Sequence, residues 1–400
     1  MSQNRTNDMS KPSERIDIAV SVEHVRGWGR RVCEGIADYL HGRTGWHLSM
    51  FEDGLPDVTV LERFDGFLWC IADKHTANVL RATGKPIVSL LDEEIGSGIA
   101  YVGSDHQACG RLAAQTFINH QFRNFAFFGW KGLNFSRFRL QPYRQALENE
   151  HRECHVYLSN ALTVSRYLDR HVRRECLALP SDAQAVGRWV ARLPKPVGVF
   201  CANDLRAWQL AEICRICGMR IPQDVAILGA DNDEIPCLFS NVSLSSVDTD
   251  MFGTGRRAAE LLDDMISGRQ NVRDSYVLIN PVGVVGREST AVYPVDPPWL
   301  ADVLVYIRAN IGKALTAEDI VAHVGKSYGT IENAFKRALG TTVQREIMSA
   351  RIATAEHLLK TTTLPIATVA HRAGFKSAQY FNKCFAACHT VPPGQWRMRK

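Results

Sequence analysis

Hydrophobic and polar positions follow two kinds of spacing in the first 290 residues. Short apolar runs, typical of buried strands, occur at 16–22, 67–70, 86–91, 125–128, 197–201 and 225–228. Stretches with the apolar spacing of helices occur at 29–40, 107–120, 139–150 and 205–217. Strands that alternate with helices predict a parallel sheet covered on both faces. Because the segment is too long for one such sheet, we predict a two-lobed α/β domain over residues 15–290.

The pattern changes in the last quarter of the chain, where apolar positions recur at helical spacing only. A capping box at 316–319 predicts the start of one helix, and Ser327 and Ser377 are the predicted N-caps of two others. A longer helix is predicted over 343–360, between two pairs of short helices. Residues 300–400 are therefore expected to form an all-α domain with two helix-turn-helix units.

The ends and faces of these short helices are also marked in the sequence. Gly325 and Gly340 can adopt the left-handed conformation that closes a helix. The helix that follows Ser377 carries four residues that we expect to be buried on one face, Tyr380, Phe381, Cys384 and Phe385. The residues expected on the exposed faces are Tyr328, Gly329, Thr330, Asn333, Lys336, Arg337, Ala378, Gln379, Asn382 and Lys383. Side chains of these types can contact base edges, and a major groove admits one helix. DNA binding is therefore predicted, with a helical dimerisation module without DNA affinity as the alternative.

This stretch resembles the C-terminal DNA-binding domain of AraC-type transcriptional regulators. In the first unit the resemblance rests on Ser327, Ile331, Phe335, Lys336 and Gly340. In the second unit it rests on Leu364, Pro365, Ile366, Val369, Ala370, Gly374, Phe375, Tyr380, Phe381, Phe385, Pro393, Trp396 and Arg397. Thr390 stands where glycine is common in that family. The resemblance implies that both recognition helices contact double-stranded DNA.

The distribution of charge supports a division of roles between the two parts. The whole chain has a formal net charge of +5. Residues 301–400 carry 14 Lys and Arg against 6 Asp and Glu, whereas the first 300 residues carry 33 against 36. A basic C-terminal part on a slightly acidic body is expected when only that part contacts phosphates. A solvated basic helix surface is the alternative.

The cysteine content and the N-terminal residues indicate the cellular compartment of the protein. Eleven cysteines scattered along 400 residues do not form the dense pattern of a small disulfide-rich secreted domain. Residues 1–14 are polar and predict a disordered tail, and no stretch has the apolar length of a signal peptide or a membrane span. We therefore expect a cytoplasmic protein with reduced thiols and no membrane contact.

No motif predicts a cofactor, a metal site or a catalytic group. Gly27 and Gly29 follow a predicted strand, but the third glycine of a dinucleotide fingerprint is missing. Cys214 and Cys217 have redox or zinc spacing without a partner pair, so two helix thiols are the better interpretation. The chain is therefore not expected to be an enzyme.

Polar residues cluster where predicted strands of the α/β part end. The candidate ligand-binding residues in these loops are Arg26, Trp28, Arg139, Asn203 and Asp231. In an open parallel sheet, ligands bind beyond the carboxyl ends of the strands. Sugar hydroxyls need both donors and acceptors, and the C–H face of a sugar packs on an aromatic ring. The residue types therefore predict a site for a polyhydroxylated ring.

Residues 100–290 resemble the periplasmic-binding-protein-like core of LacI/GalR-type regulators. The resemblance rests on the segments 102–105, 110–113, 125–129, 203–207 and 218–232, together with Arg139, Tyr143 and Arg144. It implies that Arg139, Asn203 and Asp231 hold sugar hydroxyls. Each residue also has a structural alternative: Arg139 as a surface ion pair, Asn203 as a helix cap and Asp231 as a turn former.

A LacI-like sensor followed by an AraC-like reader, joined by a linker at 291–299, resembles the xylose-operon regulators. The resemblance implies D-xylose as the effector, operator DNA as the target and activation of catabolic genes. It also implies a homodimer and leaves RNA polymerase as a further partner to consider. The alternatives are a regulator of another pentose or hexose, a repressor, or a soluble sugar-binding or sugar-modifying protein.

Overall fold

The computed structural model describes residues 15–24, 26–41, 45–51, 54–160, 179–269, 274–293, 295–313, 315–362 and 364–397. The tail predicted at 1–14 lies outside the described residues. Within them, the chain forms two α/β lobes followed by a helical domain. The predicted fold class is therefore confirmed.

The strands and helices of the two lobes extend the predicted pattern. The strands are β1 (Ile16–Ser21), β2 (Trp46–Met50), β3 (Gly66–Trp69), β4 (Ile87–Ser89), β5 (Ala100–Ser104), β6 (Asn124–Trp130), β7 (Cys154–Ser159), β8 (Val197–Cys201), β9 (Val225–Ala230), β10 (Ser245–Asp248), β11 (Tyr276–Ile279) and β12 (Gly283–Val285). The helices are α1 (Gly27–Leu40), α2 (Val58–Leu61), α3 (Lys74–Ala82), α4 (His106–Asn119), α5 (Asn134–Asn149), α6 (Ala183–Arg192), α7 (Asp204–Ile216), α8 (Glu234–Phe239) and α9 (Met251–Ile266). A 3₁₀ turn follows at Glu288–Thr290.

Each lobe is a six-stranded sheet with helices on both faces. In the first lobe the strand order is β2-β1-β3-β4-β5-β11, and all neighbouring strands are parallel. In the second lobe the order is β7-β6-β8-β9-β10-β12, in which only the pairing of β10 with β12 is antiparallel. The central strands β3, β4, β5, β8 and β9 are buried along their whole length, as expected for parallel sheets covered on both faces.

The chain passes between the lobes three times. It leaves the first lobe after β5, returns between β10 and α9, and crosses again between β11 and β12. Helix α4 packs on the second lobe, whereas α9 packs against α1 of the first lobe. The crossings therefore lie beside one cleft, into which the carboxyl ends of strands from both sheets open.

One predicted boundary is wrong in a way that matters for the site. The sequence placed Arg139 at the start of a helix, at the end of a loop from Gly129. Strand β6 instead continues to Trp130, and α5 begins at Asn134. The residues directly before Arg139 therefore form the start of the helix, where Ser136 is buried. Arg139 lies in the second turn and points from a rigid helix.

The C-terminal domain contains the two predicted helix-turn-helix units and one further helix. Its helices are α10 (Trp299–Ala309), α11 (Ala317–Val324), α12 (Tyr328–Leu339), α13 (Val343–Thr361), α14 (Ile366–Arg372), α15 (Ala378–His389) and α16 (Pro393–Arg397). The capping box at Thr316 and Asp319 and the N-caps Ser327 and Ser377 are confirmed. The burial expected for Tyr380 is wrong, because its side chain is 50% exposed at the surface of α15 while Phe381 and Phe385 fill the core.

The segment predicted as a linker packs against both neighbouring parts of the chain. Tyr293 is 5% exposed and belongs to the same core as Leu300 and Phe335. Its ring centroid lies 4.7 Å from that of His120, the C-cap residue of α4. The ring nitrogen Nδ1 of His120 lies 3.1 Å from the carbonyl oxygen of Thr290. Burial, assisted by nearby Arg308, lowers the pKa of His120 to about 4, so this contact involves a neutral imidazole at neutral pH.

Thr390 and Gly340 close the two recognition helices in the same left-handed conformation, with φ values of 60° and 65°. A β-branched residue is disfavoured there because its Cβ crowds the backbone. We expect Thr390→Gly to stabilise the end of α15 by about 1 kcal/mol, and Gly340→Thr to destabilise α12 by a similar amount. Amide hydrogen exchange in the two helices measures both effects. Faster exchange in α15 of the Thr390→Gly chain would contradict this account of the cap.

Candidate functional site

The cleft between the lobes is lined by four of the five predicted ligand-binding residues: Trp28, Arg139, Asn203 and Asp231. Trp28 and Arg139 come from α1 and α5 in different lobes. Asn203 lies two residues after the end of β8, and Asp231 directly follows β9. The lining residues that the sequence did not single out include Asp92, Glu93, Tyr101, His106, Asn134 and Phe135.

Arg26 does not line the cleft in the described chain. It is the N-cap residue of α1, and its Nε lies 3.1 Å from a carboxylate oxygen of Glu23. Both side chains are largely buried, at 12% and 7% exposure. The structure therefore gives Arg26 an ion pair at the start of α1.

Arg139 is the central cation of the cleft. Its side chain is 2% exposed, and its Nη2 donates to Oδ1 of Asp231 at 2.6 Å. Its Nη1 donates to the carbonyl oxygen of Ala202 at 2.6 Å, and its Nε donates to Nδ1 of His106 at 3.3 Å. Burial acts to lower the pKa of Arg139, but the surrounding groups, chiefly the carboxylate of Asp231, together outweigh it and the net change is upward. The alternative of a surface ion pair is therefore excluded.

Asn203 and Asp231 have the structural roles considered as alternatives and also line the cleft. The side-chain oxygen of Asn203 accepts from the backbone N–H of Arg206 at 3.1 Å and caps α7. Asp231 has a φ of 97°, so it turns the chain after β9. Its Oδ1 also accepts from Thr249 at 3.2 Å. Capping and turning therefore fix these two side chains at the edge of the cleft.

Two carboxylates of the loop after β4 face the cleft from the first lobe. Asn134 of the second lobe donates to the carbonyl oxygen of Asp92 at 2.8 Å and to Oε2 of Glu93 at 3.1 Å. The rings of Tyr101, from β5 of the first lobe, and Phe135, from α5 of the second lobe, also line the cleft. The run of acidic residues at 92–94 directly after a predicted strand was the sequence signal that could have identified this loop.

Glu93 makes the contact between the lobes dependent on pH. Burial and the carboxylate of Asp92 raise its pKa to about 7. A raised folded-state pKa contributes stability below the ordinary value near 4.5, and that contribution is lost as pH rises through about 7. We therefore expect Glu93→Gln to raise the melting temperature at pH 8 and to leave it unchanged near pH 4.5. The exposed neighbour Glu94 provides a control, since Glu94→Gln should change neither value. An equal effect of Glu93→Gln at both pH values would contradict this linkage.

The two lobes also touch at the rim of the cleft. The backbone N–H of Gly27 in α1 donates to Oδ2 of Asp233 at 2.9 Å. On the other side, Trp130 and Leu133 of the second lobe pack against Leu91 of the first. The two lobes are therefore in direct contact at the rim, and a small ligand in the cleft would lie between residues of both lobes.

The second candidate surface lies on the two recognition helices. Tyr328, Gly329, Thr330, Asn333, Lys336, Arg337, Gln379, Asn382 and Lys383 are exposed, and Ala378 is half-buried. Thr330 is held at the N-terminus of α12, with its Oγ1 2.8 Å from the Oγ of Ser327. The phenol of Tyr380, which was predicted to be buried, is exposed and adds a polar group to this surface.

The two helix-turn-helix units are connected by α13. This helix has 19 residues and a length of about 28 Å at 1.5 Å per residue. Successive major-groove faces on one side of DNA are about 34 Å apart, which is close to the length of this connecting helix.

Within the described part of the chain, no group of three or more His, Cys, Asp or Glu side chains could hold a metal ion. None of the described helices is long and apolar enough to cross a membrane.

Known proteins resemble both the α/β part and the helical part of the chain. Residues 114–290 match the family model of a periplasmic binding protein-like domain, and residues 320–399 match that of a helix-turn-helix domain. The chain is 24% identical to the xylose operon regulatory protein of Haemophilus influenzae over 95% of its own length and 98% of that protein. It is 25% identical to the protein of the same name from Escherichia coli strain K12, over 93% and 94% of the two lengths. The chain is a sugar-responsive, DNA-binding transcriptional regulator.

A solved structure shows the same architecture as this regulator. The structure of a xylose-binding transcription activator, xylR, matches with a TM-score of 0.61 at 24% identity, covering 98% of this chain and 100% of that chain. Both domains and their order are therefore shared. The relatives regulate transcription, and the regulator is not an enzyme.

Proposed function

We propose that the regulator senses D-xylose and activates transcription of genes for its catabolism. It acts in the cytoplasm as a homodimer on an operator, and it contacts RNA polymerase when the sugar is bound. The observation that carries the sensing role is the buried pair of Arg139 and Asp231 in the cleft between the lobes. The names of the relatives that match almost the whole chain favour D-xylose among the possible sugars.

The chemistry of the cleft suits a small neutral sugar. Arg139 is neutralised by Asp231, so the cleft does not present a free cation that would favour a phosphorylated ligand. Carboxylates and the guanidinium group supply acceptors and donors for hydroxyls. Trp28, Tyr101 and Phe135 supply apolar ring faces for the C–H groups of a pyranose.

Helix α4 provides a direct route from the cleft to the DNA-binding domain. Its first residue, His106, contacts Arg139 in the cleft, and its C-cap residue, His120, contacts Tyr293 in the core of the C-terminal domain. A movement of α4 on sugar binding would therefore reach the C-terminal domain without an intervening loop. This coupling requires that the sugar binds two arrangements of the lobes with different affinity.

Thermal unfolding with a panel of sugars tests the proposed effector. A ligand at 100 times its dissociation constant stabilises the folded protein by about 2.7 kcal/mol. We expect D-xylose to raise the melting temperature of the sensor transition more than D-ribose, L-arabinose, D-glucose or D-galactose at equal concentration. A larger shift with another sugar would replace D-xylose as the effector. Chemical conversion of a sugar by the purified protein would instead support the class of sugar-modifying proteins.

A further inference from the structure

His106 is the first residue of α4, and its side chain lines the cleft. Arg139 donates from Nε to Nδ1 of His106 at 3.3 Å. A guanidinium group has only donors, so Nδ1 must be the acceptor, and the proton of the neutral imidazole must lie on Nε2. Burial, with the nearby charge of Arg139, holds the pKa of His106 well below its ordinary value. The N-terminus of α4 also disfavours a positive charge there. The side chain is therefore a neutral imidazole with a fixed tautomer.

The Nε2–H group of His106 opens on the cleft. His106 is a lining residue, and no described residue makes a hydrogen bond to Nε2. Some polar side-chain atoms of the described chain are fully buried and have no hydrogen-bond partner, and Nε2 of His106 is not one of them. Solvent or a ligand in the cleft can therefore accept from it.

Three other neutral donors of the cleft make hydrogen bonds within the protein. The hydroxyl of Ser104 donates to the carbonyl oxygen of Thr249 at 3.3 Å, and that of Thr254 donates to Asp250 at 3.0 Å. The amide of Asn134 donates to Asp92 and Glu93. Acceptors are plentiful, since three carboxylates line the cleft. A sugar hydroxyl oxygen can also accept a hydrogen bond, and the Nε2–H group of His106 is a donor that faces the cleft.

We propose that His106 is a specificity-determining residue, which donates from Nε2 to one hydroxyl oxygen of the bound sugar. Arg139 donates to the other nitrogen of the imidazole, Nδ1, and so fixes the orientation of the imidazole ring. The inference rests on the proposed sugar-sensing function and adds to it a contact that selects for a hydroxyl at one ring position. A sugar without that hydroxyl leaves the donor unpaired in a buried site and binds more weakly.

Two substitutions separate the roles of the two ring nitrogens. In His106→Asn, the side-chain oxygen can replace Nδ1 as acceptor for Arg139, but the donor at the position of Nε2 is lost. In His106→Gln, the longer amide can place an N–H group near the position of Nε2. We expect His106→Asn to weaken D-xylose binding at least about tenfold and His106→Gln to retain an affinity much closer to that of the full-length wild type. The exposed neighbour provides the control, because Gln107→Asn should bind as wild type does.

Calorimetric titration of full-length chains with D-xylose and its monodeoxy analogues gives the decisive outcomes. One analogue should bind wild type weakly and lose little further affinity in His106→Asn. Wild-type affinity in His106→Asn with loss in His106→Gln would overturn the proposal, since His106 would then only hold Arg139. If neither variant folds, ¹⁵N NMR of the wild type decides: the Nε2 resonance of His106 should be that of a protonated nitrogen and should shift with D-xylose. An unchanged resonance in the saturated protein would overturn it. A wild type that binds no sugar would overturn the proposed function and this inference together.

Discussion

Arg139→Ala is expected to abolish D-xylose binding and to destabilise the sensor domain. The substitution leaves Asp231, 12% exposed, without its cation, and breaking a buried ion pair costs about 3–5 kcal/mol. It also removes the donor to Ala202 and the group that orients His106. Urea unfolding measures the loss of stability, and calorimetric titration with D-xylose measures the loss of binding.

Arg144 on the same helix provides the matched control. Its ion pair with Glu148 is about half-exposed on both sides, so Arg144→Ala should change stability by less than about 0.5 kcal/mol and leave sugar binding intact. The double variant Arg139→Met with Asp231→Asn should recover part of the stability, because no unpaired charge remains, without recovering binding. Sugar affinity like that of wild type in any folded Arg139 variant would contradict the assignment of this residue to the site.

The double variant Lys336→Ala with Lys383→Ala is expected to lose DNA affinity for every sequence alike. Both lysines are exposed, one on each recognition helix. If each contacts a phosphate, the slope of log affinity against log salt concentration should fall by about 2. Anisotropy titrations of specific and unrelated DNA fragments at several salt concentrations measure this slope.

Two comparisons separate phosphate contacts from base contacts. Lys313 is exposed in the same domain but lies before α11, away from both recognition helices, so Lys313→Ala should leave the slope unchanged. Asn382→Ala should instead relax the preference for one base position at nearly constant salt slope. An unaltered salt slope in the double lysine variant would exclude the proposed docking of these faces on DNA.

The sequence was sufficient to predict the C-terminal domain in detail because its signals are local. Caps such as Ser327 and Ser377 and helix ends such as Gly325 act within one or two turns of the backbone, and the structure contains all three. Tyr380 was misplaced for the same reason. Helical spacing alone put it beside Phe381, and only the packing of the domain shows that the phenol lies outside the core.

The cleft could be predicted only where its residues follow buried strands. Asn203 lies two residues after β8 and Asp231 directly after β9, so the strand pattern was enough to place them. Asp92 and Glu93 also follow a predicted strand, so the strand pattern could have identified them. His106 instead reaches the cleft because the chain crosses between the lobes after β5, and this arrangement depends on contacts distant in sequence. Strand β2, an edge strand with mostly exposed residues, has no apolar run and was missed for that reason.

Sugar-dependent DNA binding by the full-length chain tests the central claim most directly. A DNA site selected by the chain from a random library in the presence of D-xylose can be titrated by fluorescence anisotropy at fixed salt, with and without the sugar. We expect saturating D-xylose to raise the affinity for this site at least about tenfold, which corresponds to about 1.4 kcal/mol of coupling free energy. Equal affinity with and without D-xylose, in a chain that calorimetry shows to bind the sugar, would contradict a sugar-responsive activator.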